Sequence, residues 1–107
     1  MATRIGSPDN GGTVTVGPGE TLELALPENA GSGYRWLLAE LPGGLTLLGE
    51  RRELPGAAAP GAGSLHIFRV RADGSGVLSA QLRRPWETGG AVQTFSVRVG
   101  TQPQPRI

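Results

Sequence analysis

The stretch Leu22-Glu23-Leu24-Ala25-Leu26 places a large apolar side chain at every second position. In an extended chain successive side chains point to opposite faces, so the three leucines share one face of this segment. Glu23 and Ala25 lie on the other face. This period of two predicts a β-strand that buries its leucine face against a core.

The same period recurs along most of the chain. Pro27 is predicted to end the strand that holds the leucines, because proline has no backbone N–H to donate, and residues 28–33 are predicted to form a loop. Turn sequences such as Asp73-Gly74 separate the other extended segments. Further strands are predicted at 13–16, 34–38, 65–71, 78–83 and 94–99, and a strand or a pair of strands at 45–53.

Short strands with regular turns and no segment of helical period predict an all-β fold, an immunoglobulin-like β-sandwich of about seven to eight strands. The chain of 107 residues is expected to form a single domain, with residues 1–11 and 101–107 as flexible ends. Trp36 is expected to be the buried tryptophan of the sandwich. The side chains predicted to share one core are Trp36, Leu24, Phe68, Leu82, Phe95 and Val97.

Composition and charge exclude several classes of function. A net charge of +1 gives no field that would favour binding to nucleic acid or to an anionic membrane. The absence of cysteine excludes disulfides, thiol catalysis and cysteine-based metal sites. Residues 1–12 lack the hydrophobic core of a signal peptide, so we expect either a cytosolic protein or the mature form of an exported one. All 10 basic residues are arginine, which fits a high-GC coding bias and a bacterial source.

The sequence also lacks the groups of residues that enzymes need. Catalysis requires a nucleophile with a base, an acid–base pair, a metal cluster or a cofactor motif. The only histidine, His66, is accompanied by no second ligand or base and is expected to be a partly buried or edge side chain. The 9 acidic residues are scattered and are expected mostly on outward strand faces or in turns. We therefore predict that the protein is not an enzyme and uses no metal or cofactor.

Three irregular segments are more distinctive than the strands. The first loop (29–34) is Asn29-Ala30-Gly31-Ser32-Gly33-Tyr34. The second loop (55–63) leads through Gly61-Ala62-Gly63 into Ser64, and the third loop (84–90) begins Arg84-Pro85-Trp86. Strands of a sandwich alternate in direction, so loops after the second, fourth and sixth predicted strands gather at one end. Antibody variable domains bind their ligands with such a cluster of loops.

These loops resemble those of the chagasin family of cysteine protease inhibitors. That family has a loop of the form Asn-Pro-Thr-Thr-Gly-(Tyr/Phe)-x-Trp, a Gly-x-Gly-Gly loop before a strand with phenylalanine, and an Arg-Pro-(Trp/Phe) loop. The order and spacing of the motifs agree, and the resemblance covers residues 11–99. The matching residues are Asn29, Gly33, Tyr34, Trp36, Gly61, Gly63, Phe68, Arg84, Pro85 and Trp86.

The resemblance implies a reversible, tight-binding inhibitor of papain-like cysteine proteases, and we expect it to be a monomer. The first loop would lie as a wedge over the catalytic cysteine and histidine, while the second and third loops grip the cleft on either side. The departures from the family pattern are Ala30, Gly31, Ser32 and Ser64. The residues implied to bind the protease are Asn29, Ala30, Gly31, Ser32, Gly33, Tyr34, Gly61, Ala62, Gly63, Ser64, Arg84, Pro85 and Trp86.

Several of these residues also have a structural explanation. Gly33 is predicted to have a positive φ that shapes the first loop. Asn29 is expected to brace that loop, since asparagine is a good turn former. Tyr34 is open between support of the loop and contact with the protease, and Arg84 between contact and a solvated charge. Trp86 is expected to contact the protease, because a large aromatic side chain in a turn is costly to expose.

Two other functions fit the same strands. The main alternative is a non-inhibitory immunoglobulin-like binding or adhesion module, which gives no reason for the three loop motifs to occur together. The second is a carbohydrate-binding sandwich, in which Trp86 and Tyr34 would stack on sugar rings. Two aromatic residues in separate loops supply little of the planar platform that this function requires.

Overall fold

The computed structural model of the chain describes residues 3–29, 33–53, 64–84, 86 and 90–101. These residues form eight β-strands and a short 3-10 helix at Ser7–Asp9. The strands are β1 (Thr3–Gly6), β2 (Thr13–Val16), β3 (Glu20–Glu28), β4 (Arg35–Glu40), β5 (Leu45–Glu53), β6 (Ser64–Ala72), β7 (Gly76–Arg83) and β8 (Gln93–Thr101). The predicted all-β fold is confirmed, and β2 and β5 have the predicted bounds.

The strands lie in two sheets that face each other as a sandwich. The first sheet has the strand order β1-β3-β6-β5 and the second has the order β2-β8-β7-β4. β1 runs parallel to β3 and β2 parallel to β8, while the remaining pairs are antiparallel. Because β3 and β4 belong to different sheets, the first loop carries the chain from one sheet to the other. The architecture is the expected immunoglobulin-like sandwich.

One core fills the space between the sheets. The leucine face of β3 is buried as the period of two predicts, and Leu22 and Leu24 have no exposed surface. The predicted core residues Leu24, Trp36, Phe68, Phe95 and Val97 are all buried in this cluster, and Leu82 packs half-buried against it. Full burial of a leucine or phenylalanine side chain contributes about 1.5–3 kcal/mol. The shared core therefore holds the two sheets together.

The strand β3 is longer than predicted. It continues through Pro27 to Glu28, and Pro27 still pairs in register with Leu65 of β6. β1 pairs with β3 only from Leu22 to Ala25, so beyond Ala25 no strand among the described residues pairs with this edge of β3. An open edge is the setting in which sheets accept proline. The prediction that Pro27 ends this strand is therefore wrong.

The amino-terminal segment was expected to lack regular structure, and this is also wrong. Thr3–Gly6 forms β1, and Ile5 inserts into the core with 5% of its surface exposed. A four-residue strand with a single buried side chain is too short to show a period in the sequence. At the other end Thr101 belongs to β8, while residues 102–107 lie outside the described residues.

Candidate functional site

The strand ends that flank the three loops meet at one end of the sandwich, as the strand registers show. Glu28 at the end of β3 pairs with Ser64 at the start of β6, so the first loop begins where the second loop ends. Arg35 at the start of β4 pairs with Arg83 at the end of β7, so the first loop ends where the third loop begins. The first loop is therefore the middle one of the three.

The first and third loops touch each other at Gly33. Gly33 has a φ of 80°, the positive value that the sequence predicts. A Cβ atom at this position would lie 2.5 Å from Cη2 of Trp86, so the indole packs directly on the glycine. Trp86 is nevertheless 68% exposed. Glycine is thus needed here both for its backbone conformation and for the room it leaves.

A second contact joins the same two loops. The guanidinium carbon of Arg84 lies 4.4 Å from the centroid of the Tyr34 ring. An arginine over an aromatic face is attracted by the ring quadrupole, by about 0.5–1 kcal/mol at an exposed site. Tyr34 is half-buried beneath this contact. Support of the loop is therefore a visible role for Tyr34, and Arg84 is more than a solvated charge.

Two hydrogen bonds close the base of the first loop. The indole Nε1–H of Trp36 donates to the carbonyl oxygen of Pro27 at 2.8 Å. The backbone N–H of Trp36 donates to Oε2 of Glu28, also at 2.8 Å. Pro27 and Glu28 precede the loop and Trp36 follows it. The two ends of the first loop are thus fixed to each other across the two sheets.

Glu28 is a buried carboxylate that the sequence analysis did not single out. Its side chain has no exposed surface, and its Oε1 forms an ion pair with Arg52 of β5. Its Oε2 accepts the Trp36 N–H and lies 2.9 Å from Nδ1 of His66. The expectation that acidic residues lie on outward faces or in turns fails for Glu28. The missed signal is its position, two residues beyond Leu26 and therefore on the buried face of β3.

His66 lies between two carboxylates. Its Nδ1 faces Glu28, and its Nε2 lies 2.9 Å from Oε1 of Glu50. The ring stacks on Phe68 with 4.3 Å between the centroids, and 14% of the side chain is exposed. The predicted partly buried histidine is confirmed. Both ring nitrogens of His66 are thus within hydrogen-bond distance of a carboxylate.

The environment of Glu28 favours its charged form. Burial raises the pKa of this carboxyl, but hydrogen bonds from His66 and from the Trp36 N–H, with the charges of His66 and Arg52, outweigh that effect. The net result is a pKa below the usual range of glutamate. At neutral pH the end of the sandwich below the loops therefore holds a buried anion with its partners.

The described part of the chain contains neither a cluster of metal ligands nor a membrane-spanning helix. Within it, no cluster of three or more histidine, cysteine, aspartate or glutamate side chains is arranged to hold a metal ion. The same residues include no helix long and apolar enough to cross a membrane. The features that stand out at the loop end are an exposed tryptophan and loops held together at their bases.

Comparison with known protein families identifies the family to which the chain belongs. Residues 15–99 match the family described as Chagasin family peptidase inhibitor I42. The chain belongs to the chagasin family. A curated relative, Chagasin from Trypanosoma cruzi, is 30% identical over 93 residues, which cover 80% of this chain and 84% of the relative. The chagasin family consists of peptidase inhibitors, so this protein is an inhibitor and not an enzyme, as predicted.

Solved structures share the chagasin-family fold seen here. The cysteine protease inhibitor EhICP2 from Entamoeba histolytica has a TM-score of 0.82 and 16% identity, over 94% of this chain and 96% of that one. PbICP-C, solved in complex with falcipain-2, has a TM-score of 0.54 and 18% identity, over 94% of this chain and 98% of that one. The expected bacterial source is not supported, because the named relatives are protozoan.

The residues that carry the chagasin-family motifs differ in their accessibility. Asn29 and Trp86 are exposed, while Gly33, Tyr34 and Arg84 are half-buried. Ser64 is buried as the first residue of β6, and its hydroxyl donates to the carbonyl oxygen of Glu28 at 3.1 Å. The remaining predicted contacts, Ala30, Gly31, Ser32, Gly61, Ala62, Gly63 and Pro85, lie outside the described residues.

Proposed function

We propose that this protein is a reversible, tight-binding inhibitor of papain-like cysteine proteases that covers the active-site cleft with its three loops. The observation that carries the proposal is the meeting of the three motif-bearing loops at one end of the sandwich. Family membership supports it, and so do the cysteine protease inhibitor EhICP2 and the complex of PbICP-C with falcipain-2.

The proposed mechanism is steric. The first loop, in the middle, lies over the catalytic cysteine and histidine without placing a peptide carbonyl for attack, and the second and third loops hold the cleft on either side. Loops fixed on a rigid sandwich lose little conformational freedom on docking. An interface of about 1,600 Å² in total is the usual size for a protease and its inhibitor. The protein acts as a monomer in this mechanism.

Trp86 is the proposed anchor of the third loop. It is a large apolar side chain with 68% of its surface exposed, although its indole is held in place against Gly33. Tryptophan is enriched among the few residues that dominate binding energy in protein interfaces. An indole that is both exposed and held in place is suited to enter a pocket beside the active site.

The departures from the family pattern reduce the expected affinity. Ala30 and Gly31 stand where the family has proline and threonine, and Ser32 stands where it has a second threonine. A glycine adds roughly 0.5–1 kcal/mol of backbone freedom that must be lost on binding. We therefore propose weaker inhibition than a first loop with the full family sequence would give.

The test is inhibition of papain, measured with a fluorogenic peptide substrate. Competitive inhibition is expected, with activity recovered on dilution and the inhibitor chain intact by mass spectrometry. Cleavage of the chain within a loop, with papain still active, contradicts the wedge mechanism. No inhibition of papain or of a cathepsin-type protease points instead to the adhesion-module alternative.

A carbohydrate-binding function is less well supported. Sugar rings stack on accessible aromatic faces, whereas one face of the Tyr34 ring is covered by Arg84. Trp86 is then left without a second aromatic ring beside it among the described loop residues. The residues that the structure describes at the loop end therefore form no broad aromatic platform.

A further inference from the structure

Below the loops lies a group of residues that the proposed mechanism does not use directly. We define the stem cluster as Glu28, Trp36, Arg52, Ser64 and His66. Glu28 and Trp36 flank the first loop, whereas Arg52, Ser64 and His66 flank the second loop. The cluster therefore joins the bases of two loops that are far apart in sequence.

Glu28 is the centre of the stem cluster. Its carboxylate accepts the Trp36 N–H at 2.8 Å, lies 2.9 Å from Nδ1 of His66 and is ion-paired with Arg52. Its backbone carbonyl oxygen accepts the Ser64 hydroxyl at 3.1 Å. These partners come from β4, β5 and β6, so one residue connects both sheets and both loops.

We propose that Glu28 is a positioning residue for inhibition: its carboxylate fixes the first loop relative to the second loop without touching the protease. This inference rests on the proposed function. The residue is 2% exposed, which leaves it no surface with which to contact a partner. Its effect on binding must therefore pass through the loops whose bases it joins.

The expected effect on the apparent dissociation constant follows from the fraction of inhibitor molecules that have both loops positioned for binding. If removal of the carboxylate lets the two loop bases separate, only a fraction of the free inhibitor has both loops in binding position. The apparent dissociation constant rises by the inverse of that fraction. Association slows for the same reason, because fewer encounters meet a competent inhibitor.

The chain offers a matched control in Glu23. It lies on the same strand, and it is also paired with two arginines, Arg4 and Arg51. Glu23 lies on the outer face of the first sheet, away from the loops. Substitution of either glutamate by glutamine removes one paired carboxylate from β3. The carboxylate of Glu28 is paired with Arg52 and His66 at the base of the loops, and that of Glu23 with two arginines on the outer face.

The experiment measures the inhibition constant and the association rate for papain with Glu28→Gln and Glu23→Gln. We expect Glu28→Gln to raise the inhibition constant about tenfold, mainly through slower association, and Glu23→Gln to change it less than about twofold. Equal inhibition constants for the two variants overturn the proposal. If Glu28→Gln does not fold, Arg52→Gln takes its place with Arg51→Gln as control, and equal values again overturn it.

A second readout separates this proposal from the proposed function. The Trp36 amide donates to Glu28, so its hydrogen exchange is expected to accelerate at least about tenfold in Glu28→Gln, while the core amide of Leu78 stays protected. If the wild-type protein inhibits no cysteine protease, the proposed function fails and the exchange data still decide whether Glu28 holds the loop base. Unchanged Trp36 exchange in Glu28→Gln refutes the positioning role in either case.

Discussion

Glu23 and Glu28 lie on the same strand, β3, but differ in exposure and therefore in how much their ion pairs contribute to stability. Glu23 is paired with Arg4 and Arg51 on the outer face of the first sheet, where 43% and 46% of the two arginine side chains are exposed. Glu28 has comparable partners, but its own side chain is completely buried. Water reaches the Glu23 side chain, which is 16% exposed, and does not reach that of Glu28. An ion pair is thus a minor surface feature at one site and a structural requirement at the other.

The largest expected effect is the loss of stability on truncation of the buried carboxylate. Glu28→Ala should lower the free energy of unfolding by about 3 kcal/mol, because it leaves the Arg52 charge, the His66 ring and the Trp36 N–H without their buried partner. Glu23→Ala should cost less than about 1 kcal/mol. Urea unfolding of both variants measures the difference, and similar losses would show that the two sites are equivalent after all.

A second comparison is between two exposed apolar side chains, Trp86 at the loop end and Leu48 on β5, in their contribution to inhibition. Trp86→Ala should weaken inhibition of papain by about 2 kcal/mol, roughly 30-fold, with little change in stability. Leu48→Ala on β5, where Leu48 is 46% exposed, serves as the control and should leave inhibition unchanged. Unfolding of Trp86→Ala, or inhibition equal to that of the wild type, contradicts the anchor role.

Two glycines extend the contrast to the backbone. Gly19 and Gly33 both have φ of 80°, but nothing lies within 4 Å of a Cβ built on Gly19, whereas Trp86 occupies that space at Gly33. Gly19→Ala should cost about 1 kcal/mol of stability from backbone strain alone. Gly33→Ala should cost more and should also weaken inhibition, because its methyl group displaces the indole. The same stability loss in both variants would show that the contact with Trp86 is not a constraint.

The smallest expected effect is a difference between Glu28→Gln and the wild type in how stability falls as the pH is lowered. The pKa of Glu28 is lowered in the fold, so its contribution to stability is present above the ordinary glutamate value of 4.5 and is lost as the pH falls through the folded pKa. Glu28→Gln removes this titration and should make the acid-induced loss of stability shallower than in the wild type. Denaturant unfolding at several acidic pH values gives the slopes, and identical slopes would mean that Glu28 does not contribute.

The sandwich could be predicted because its signal is local and repeated. The leucines of β3 report a buried face by their spacing, and Trp36 and Phe68 fall where the pattern places core residues. The burial of Glu28 was not predicted, because a charged residue was expected outside the core. Its position in the same pattern, two residues after Leu26, nevertheless lies on the buried face. Its burial depends on Trp36, Arg52 and His66, which come from three other strands, and no local pattern reports such partners.

The loop end was predictable to a different extent. The motif residues and strand alternation placed the three loops together, and the positive φ of Gly33 followed from its residue type. The contact of Gly33 with Trp86 did not follow, because it joins loops more than fifty residues apart through the packing of one indole on one glycine. Ser64 looked like a loop residue, yet pairing with Glu28 draws it into β6.

The two hydrogen bonds that Trp36 donates determine which residues of the first loop can be substituted. Both of its N–H groups bind residues on the far side of the first loop, at Pro27 and Glu28. The span that the loop must bridge is therefore set by the sandwich and not by the loop's own sequence. We expect exchange of residues 29–32, with Gly33 and Tyr34 and their contacts to the third loop kept, to retarget the same framework from one protease to another.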